Sequence, residues 1–361
     1  MDQLVSFIRE VYGSQGPIAL HEPVFTGREK EYVNEAIDST YVSSVGKFVN
    51  RFELDLAAYT GSQQVVATVN GTAALHVALV TCGVGNGDLV ITQSLTFVAT
   101  CNAIRYCGAG PIFVDVDTNT LGLSPMAMRQ WLDEHAFVDD HGQCRHTDSM
   151  RAIKAALPMH TFGHPADLDG LVAVCRDWQL VLIEDAAESL GSFYKGQHTG
   201  TVGALGTLSF NGNKTITTGE GGMVTTNDSS FAALCDQLRN HGASVSEEIR
   251  HHGPKPYLLP EFNLMGFNYR MTDLQGAVGV VQMEKLASFI KERQKWADFY
   301  CEELADVEWL RMPFRPSEDQ HAWQSFVTFV NPQDAPMKRN DIMSKLQELG
   351  ISTRPGTHAV H

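Results

Sequence analysis

The sequence predicts an α/β fold in which a mostly parallel central sheet is flanked by helices and followed by a smaller C-terminal α+β domain. Between residues 61 and 240, apolar runs of strand length alternate with segments of helical spacing. The runs are apolar throughout, as in LVLIED (180–185), which indicates strands that are buried on both faces. The length of 361 residues allows one large domain and one smaller domain.

The predicted elements follow in order along the chain. Thr26 and Glu29 have the spacing of a capping box, which predicts the start of a helix, and a second helix is expected over 51–59. Predicted strands then alternate with predicted helices. The strands are expected at 65–69, 89–92, 111–116, 152–160, 180–185 and 207–210, and the helices at 72–82, from 97, from 124 and at 168–178.

The pattern changes after residue 240. Residues 241–262 are polar and rich in Pro and Gly, which predicts a long loop, and residues 271–304 have the pattern of one long amphipathic helix. A further helix is expected around 338–348. The sequence therefore predicts two parts: an N-terminal segment with the large domain, 1–245, and a small C-terminal domain with the long connecting helix, 246–361.

The composition argues against several classes of function. The chain carries 27 basic and 42 acidic residues, a net charge of −15, so no nucleic-acid-binding surface is expected and any phosphate site must be local. Seven cysteines without a C-x-x-C pair, a first segment unlike a signal peptide and no apolar run of membrane length predict a cytoplasmic protein. Three potential metal ligands lie close together in DDHGQCRHTD (139–148), but a solvated loop is the better interpretation, and no metal site is expected.

Three short motifs lie at or just after predicted strand ends, where open α/β sheets bind ligands. Gly71 and Thr72 lie where a strand turns into a helix, and a helix N-terminus binds phosphate. Asp185 ends the clearest strand, and Lys214 follows the strand 207–210 within SFNGNKTITTGEGG. Each motif alone has an ordinary alternative: a capped turn, an acidic loop or a solvated lysine.

Together the three motifs match the needs of pyridoxal phosphate. Its phosphate would dock at the helix N-terminus, an aspartate would keep the pyridine nitrogen protonated, and a lysine would bond to the aldehyde. Phe97, at the end of another predicted strand, either stacks on the ring or belongs to the core. The combination, rather than any single motif, predicts this cofactor.

Five segments carry a resemblance to a known family. They resemble the DegT/DnrJ/StrS-type nucleotide-sugar aminotransferases, and they read NGTAALH, SLTFVATCNAI, LIEDAAESLGSFYKG, SFNGNKTITTGEGG and GFNYRMTDLQGAVG. The resemblance extends from about Ile18 to His361. It implies the type I pyridoxal-phosphate-dependent aminotransferase fold, a homodimer, a nucleotide-sugar substrate and an amino-acid donor.

The same resemblance implies roles for individual residues. Lys214 would be the Schiff-base lysine, and Asp185 would pair with the pyridine nitrogen. Asn268 falls in the segment that would reach the phosphate in the neighbouring subunit, with Arg270 as the competing residue. The other implied cofactor contacts are Gly71, Thr72 and Ser209 at the phosphate, Phe97 on the ring, and Glu188 where many relatives carry Gln or His.

Finer features narrow the expected substrate. HEPVFTGREKEYVNEAIDSTYVSSVGKFV, HTFGHPADLDGL and STRPGTHAVH resemble enzymes that aminate C4 of UDP-linked 4-keto-6-deoxy-N-acetylhexoses in bacillosamine- and legionaminic-acid-type pathways. The resemblance implies L-glutamate as the donor. Relatives continue beyond the last residue given, so a C-terminal piece is expected to be missing. The candidate substrate contacts are Ser43, Ser44, Lys47, His160 and Arg354.

Three alternative functions share parts of this sequence pattern. Relatives that dehydrate sugars carry His at the position of Lys214, which disfavours dehydration here. An aminotransferase for C3 of a dTDP-linked keto sugar would share the cofactor site and differ only in the sugar pocket. A non-catalytic binding or regulatory protein would keep the fold, but the intact Lys214, Asp185 and Ser209 argue against it.

Overall fold

The structure, a computed structural model, describes residues 2–244, 261–357 and 359–360, with side chains from residue 5 onward. In chain order the strands are β1 (Gln64–Thr68), β2 (Leu89–Gln93), β3 (Gly110–Val114), β4 (Ala136–Val138), β5 (Cys144–His146), β6 (Ile153–Leu157), β7 (Val181–Asp185), β8 (Phe193–Tyr194), β9 (Gln197–His198), β10 (Leu205–Ser209), β11 (Gly222–Thr226), β12 (Leu310–Arg311) and β13 (Phe329–Val330). The helices are α1 (Asp2–Tyr12), α2 (Glu29–Asp38), α3 (Lys47–Thr60), α4 (Gly71–Thr81), α5 (Val98–Tyr106), α6 (Pro125–His135), α7 (Leu168–Asp177), α8 (Ser229–Arg239), α9 (Asp273–Glu303) and α10 (Arg339–Glu348).

The central sheet has the strand order β1-β11-β10-β7-β6-β2-β3. β11 runs antiparallel to both of its neighbours, whereas the pairs from β10 to β3 are all parallel. The predicted α/β fold with a mostly parallel sheet is therefore confirmed. Because β1, β2, β6, β7 and β10 run in one direction, the residues that follow them meet at one edge of the sheet.

The strands are apolar throughout because each face of the sheet is covered. Val90 of β2 packs in a cluster with apolar residues of α4 and α5, and its neighbour Ile91 packs in another cluster with residues of α6 and α7. Successive strand residues point to opposite faces, so both must be apolar when both faces are covered. α3 and α9 supply a third cluster around Phe52 and Phe210.

The predicted capping box at the start of α2 is wrong. The residue before the helix is Arg28, and no side chain caps this end. Glu29 instead accepts a hydrogen bond from the Gly27 N–H at 2.9 Å and forms a buried ion pair with Lys285 of α9. The glutamate is thus used for packing α2 against α9 and is unavailable for a reciprocal cap with Thr26.

Several elements were not predicted. Within DDHGQCRHTD, expected to be a loop, β5 forms a hairpin with β4. β11 and α8 follow the glycine-rich turn after Lys214, and α1 precedes the first predicted helix. The predicted loop 241–262 falls largely on residues 245–260, which lie outside the described residues.

The N-terminal helix α1 packs against the C-terminal part of the chain, and the predicted division into 1–245 and 246–361 stays a prediction. Val5 and Ile8 of α1 pack with Ile342 and Leu346 of α10. α9 is the long helix expected there, 31 residues opened by a capping box between Thr272 and Gln275. Of the helices within the described ranges, none has both the length and the hydropathy of a membrane span; a cytoplasmic location stays a prediction.

Candidate active site

The first part of the site is the turn between β1 and α4. Asn70 caps α4, and its side-chain oxygen accepts a hydrogen bond from the Ala73 N–H at 2.9 Å. A Cβ on Gly71 would lie 2.8 Å from Cβ of Ser209, so only glycine leaves this space open. In the described part of the chain the N–H groups of Gly71 and Thr72 have no acceptor, as expected for the first turn of a helix. The fold therefore brings Gly71, Thr72 and Ser209 together around a space that suits a phosphate.

Asp185, the last residue of β7, is 2% exposed. Its carboxylate accepts hydrogen bonds from the Thr100 hydroxyl at 2.7 Å and from the Ala187 N–H at 3.2 Å. Burial raises the pKa of Asp185, and these two hydrogen bonds oppose the rise without cancelling it. Thr100 was missed in the sequence, although it lies within the SLTFVATCNAI motif.

Phe97 lies one helical turn before Thr100. Its carbonyl accepts the Thr100 N–H at 3.1 Å, which ties the start of α5 to the Asp185 side chain. The residue is 52% exposed, so the alternative of a core phenylalanine is wrong. Its stacking role stays a prediction.

Lys214 is paired rather than solvated. Its Nζ lies 3.1 Å from Oε1 of Glu188, and the two side chains are only 12% and 17% exposed. The other carboxylate oxygen of Glu188 accepts the N–H of Phe162 at 3.0 Å. The loop that carries Lys214 is closed at its base, where the Phe210 N–H donates to the Gly221 carbonyl at 2.8 Å. The fold thus holds one amine against one carboxylate in a largely enclosed space.

His21 lies within electrostatic reach of this pair and of two further basic residues, Arg293 and Arg354. Burial lowers the pKa of His21, the positive charges of Arg293, Lys214 and Arg354 lower it further, and only Glu188 opposes them. Arg293 Nη1 donates to the carbonyl oxygens of Trp323 at 2.7 Å and of Gln324 at 3.1 Å. No carboxylate pairs with Arg293 within the described ranges.

Of these three, the sequence named Arg354 alone. His21 opens the segment HEPVFTGREK, about 190 residues before Lys214, but no role was assigned to it, and Arg293 lies about 80 residues after Lys214 in the long helix. Lys214, Arg293 and Arg354 all lie within electrostatic reach of His21, so this part of the site carries several positive charges.

His160 is fully buried and uses both ring nitrogens inside the protein. Nδ1 accepts the Ala166 N–H at 3.1 Å, so Nε2 carries the proton that it shares with the Glu184 carboxylate at 2.9 Å. Burial alone would raise the pKa of Glu184, but hydrogen bonds from His160 and from the N–H groups of Gly203 and Gly200 bring it below its usual value. These contacts argue against the predicted substrate contact of His160, because no polar atom of the ring remains for a ligand.

Three of the other candidate substrate contacts, Ser43, Ser44 and Lys47, lie between α2 and the first turn of α3. The Ser43 carbonyl accepts the N–H of Asp273 at the start of α9, and Ser44 follows it half-buried. Lys47, the first residue of α3, is exposed and paired with Glu35. Whether these residues bind substrate stays a prediction.

Asn268 is exposed and lies beside the end of β1. It forms a bridge with Asn240, and the carbonyl of the next residue, Tyr269, accepts the N–H of Val69 at 2.7 Å. Its predicted contact belongs to a second copy of the chain, so this position stays a prediction.

A cavity of about 350 Å³ adjoins the site on the side of Phe162. Phe162 has a φ of +59°, a strained value for a non-glycine residue, and it lies between Glu188 and the cavity. The walls include Phe314, Trp323 and Arg311. Aromatic walls with a cationic group suit a ring-bearing anionic ligand of moderate size.

Comparison with known proteins agrees with this geometry. Residues 24–361 match the profile of the DegT/DnrJ/EryC1/StrS aminotransferase family. The chain is 36% identical over 346 residues to the GDP-perosamine synthase of Escherichia coli O157:H7, an alignment that covers 95% of this chain and 85% of that protein. It is 36% identical over 345 residues to the GDP-perosamine synthase of Caulobacter vibrioides, with the same coverage of 95% and 85%. The X-ray structure of the aminotransferase from Psychrobacter cryohalolentis superposes with a TM-score of 0.82 at 28% identity, over 94% of this chain and 85% of that one.

Proposed function

The chain belongs to the DegT/DnrJ/EryC1/StrS aminotransferase family, and we propose that it aminates C4 of a nucleotide-linked 4-keto-6-deoxyhexose with an amino acid as donor. It is a nucleotide-sugar aminotransferase that depends on pyridoxal phosphate. The observation that carries the assignment of residues is the enclosed Lys214–Glu188 pair, 3.1 Å apart. An amine held beside a carboxylate, near a buried aspartate and a phosphate-sized space, suits this cofactor.

The residues at the sheet edge fit the cofactor. Gly71 and Thr72 would bind the phosphate through their N–H groups, with Ser209 facing them. Asp185, held by Thr100, would pair with the ring nitrogen, and Lys214 would bond to the aldehyde. When bound, the pyridine ring supplies a place for the electron pair that remains when a proton leaves carbon.

Lys214 would move the protons. Its Nζ would take a proton from the alpha carbon of the donor and later deliver one to C4 of the sugar. Glu188 would hold the amine in place through its contact at 3.1 Å, and the low exposure of both side chains would keep water from exchanging the proton. Arg293 and Arg354 would attract the carboxylate of the donor, whereas the lowered pKa of His21 favours its neutral form.

Two nucleotide sugars are candidates. The relatives at 36% identity are named for a GDP-linked product, which supports a GDP-linked keto sugar as the first choice. Sequence motifs support a UDP-linked 4-keto-6-deoxy-N-acetylhexose as the second. In either case Ser43, Ser44, Lys47 and Arg354 would contact the nucleotide sugar, and the cavity beside Phe162 would accommodate part of it.

The test is an absorbance experiment followed by product mass. The purified protein, loaded with pyridoxal phosphate, is treated with L-glutamate and then with each of the two keto sugars. The visible band should disappear on adding glutamate and return with one sugar, together with an amino-sugar product. Return with neither sugar would reject C4 amination of these substrates, and a band unchanged in Lys214→Ala would reject the assignment of Lys214.

A further inference from the structure

Gln324 bonds to both neighbours of Lys214. It is 3% exposed and lies in the C-terminal part of the chain, between β12 and β13. Its Nε2 donates to the carbonyl of Asn213, and its Oε1 accepts the Thr215 hydroxyl at 3.2 Å. We propose that Gln324 is a positioning residue, which fixes the Asn213 backbone and the Thr215 side chain on either side of Lys214 and thereby holds Nζ against Glu188.

The segment around Gln324 is itself anchored. Arg293 of α9 donates to the carbonyl oxygens of Trp323 and Gln324. Trp323 has a φ of +52° and stacks on His321 with ring centroids 4.0 Å apart. A backbone held in a left-handed conformation by a residue other than glycine is maintained by its surroundings. The amide of Gln324 therefore reaches the lysine loop from a fixed base.

The same segment packs against the partner of Lys214. A Cβ on Gly163 would lie 2.8 Å from the carbonyl oxygen of Glu188 and 3.1 Å from the backbone nitrogen of Gln324. Glycine is required there because Gly163 also has a φ of +92°. Gly163 alone thus separates Gln324 from the backbone of Glu188. On the other side, Gln324 bonds directly to the two residues that flank Lys214.

Glutamine suits this position because its planar amide carries a donor and an acceptor on one group. An ionised glutamate would present an oxygen to the Asn213 carbonyl and could not donate to it. Lys214 lies on a loop, and a proton-transferring group on a loop needs support from neighbouring residues to stay within about 0.5 Å of its working position. Gln324 does not reach the reacting atoms, so its effect would pass through Lys214.

The role of Gln324 in catalysis rests on the proposed function, but its hydrogen bonds to Asn213 and Thr215 do not. The first experiment therefore uses the cofactor-free protein without substrate. Each lysine is acetylated with a limiting amount of acetic anhydride near neutral pH, and the rate at Lys214 is followed by peptide mass spectrometry. The exposed Lys295 serves as the internal reference.

The variants are Gln324→Met, which keeps the length and removes both hydrogen bonds, and Thr215→Val, which removes one of them. The matched control is Gln320→Ala, because Gln320 lies in the same segment and donates to the Gly191 carbonyl at 3.0 Å, away from Lys214. Gln324→Met should raise the Lys214 rate about fivefold, as expected when a partly exposed ion pair is released, with a smaller rise in Thr215→Val. Gln320→Ala should leave that rate unchanged.

With cofactor and substrates, Gln324→Met should lower kcat about tenfold and keep KM within twofold, since the amine rather than substrate binding is displaced. Wild-type labelling rates in both Gln324→Met and Thr215→Val, or an equal increase in Gln320→Ala, would overturn the inference. If the wild type aminates neither sugar, the proposed function fails, whereas the labelling result still decides the role of Gln324.

Discussion

At the scale of single residues, Glu184 and Asp185 show how one strand gives two carboxylates opposite tasks. Side chains alternate along β7, so the two acids point to opposite faces. Glu184 accepts N–H groups of Gly200, Val202 and Gly203 and holds that loop in place. Asp185 has fewer donors and faces the candidate site. The sequence showed a cluster of acids at this point, and only the contacts separate the structural carboxylate from the candidate ligand.

The close contact between Gly71 and Ser209 leads us to expect that one added methyl group, in Gly71→Ala, weakens the binding of pyridoxal phosphate. In Gly71→Ala the new Cβ would lie 2.8 Å from Cβ of Ser209, although alanine is otherwise favourable in a helix. We expect pyridoxal phosphate to bind about ten- to a hundredfold more weakly, which an absorbance titration measures. Gly85→Ala is the control, because its Cβ would meet only the Asp88 carboxylate at 3.9 Å. Equal affinity in Gly71→Ala and wild type would place the phosphate elsewhere.

The raised pKa of Asp185 predicts a stability change whose size depends on pH. Burial raises its pKa in the folded state, so ionisation disfavours folding, and this loss grows as pH rises above the unfolded value of about 3.9. Asp185→Asn should therefore raise the melting temperature of the cofactor-free protein at neutral pH, and the gain should vanish as pH falls towards 4. Transamination should fall about a hundredfold in the same variant.

Melting curves over a pH series would check the expectation for Asp185→Asn. A gain that is largest at low pH would contradict the burial argument. The Asp88→Asn variant is a suitable control because its carboxylate caps a turn by accepting the Gly85 N–H at 2.9 Å and lies away from the site.

At the scale of elements, the sequence predicted the strands and helices of the sheet region because each carries its own apolar pattern. β11 was missed, and one of its two partners is far away in the chain: Gly222 pairs with Thr68 as well as with Ser209 of the preceding strand. α1 was likewise not predicted, and its apolar residues pack with α10 near the other end of the chain. Local pattern identifies an element, but it does not identify what the element packs against.

The capping box at the N-terminus of α9 is linked to the backbone near the candidate site. Its removal is expected to lower the stability of the protein. The Thr272 hydroxyl accepts the Gln275 N–H, and the Gln275 side chain also donates to the carbonyls of Val69 and Glu220. Thr272→Ala should lower the free energy of unfolding by about 1 kcal/mol, measured by urea denaturation. Lys338→Ala is the matched control, because Lys338 precedes α10 without a side-chain cap. An equal change in both variants would show that the capping box contributes nothing.

At the scale of the whole molecule, the sequence predicted a local anion site in an acidic protein, and the structure explains how one arises. The net charge is −15, yet His21, Arg293, Arg354 and Lys214 come from four distant parts of the chain to within electrostatic reach of His21. Motifs identified Lys214 and Asp185 because both follow strand ends. Gln324 and Arg293 could not be predicted, since no local pattern indicates which loop a distant side chain will reach.

The last prediction concerns a second copy of the chain. We expect a homodimer in which Asn268 of one subunit completes the site of the other, a proposal supported by the exposure of Asn268 and of Phe97. Lys214→Ala and Asn268→Ala chains, co-expressed with different tags, would be purified as a mixed dimer. One of its two sites would then have both residues intact, so about half of the wild-type activity per dimer should appear.

The matched control for this dimer is Lys214→Ala combined with Asp185→Asn, because both residues belong to the same subunit's site and neither site would be intact. Analytical ultracentrifugation of the wild type would confirm the size of the assembly first. With the control pair inactive, absence of activity in the Lys214→Ala and Asn268→Ala pair would place Asn268 outside the partner's site, since a contact within one subunit leaves both sites of the mixed dimer defective.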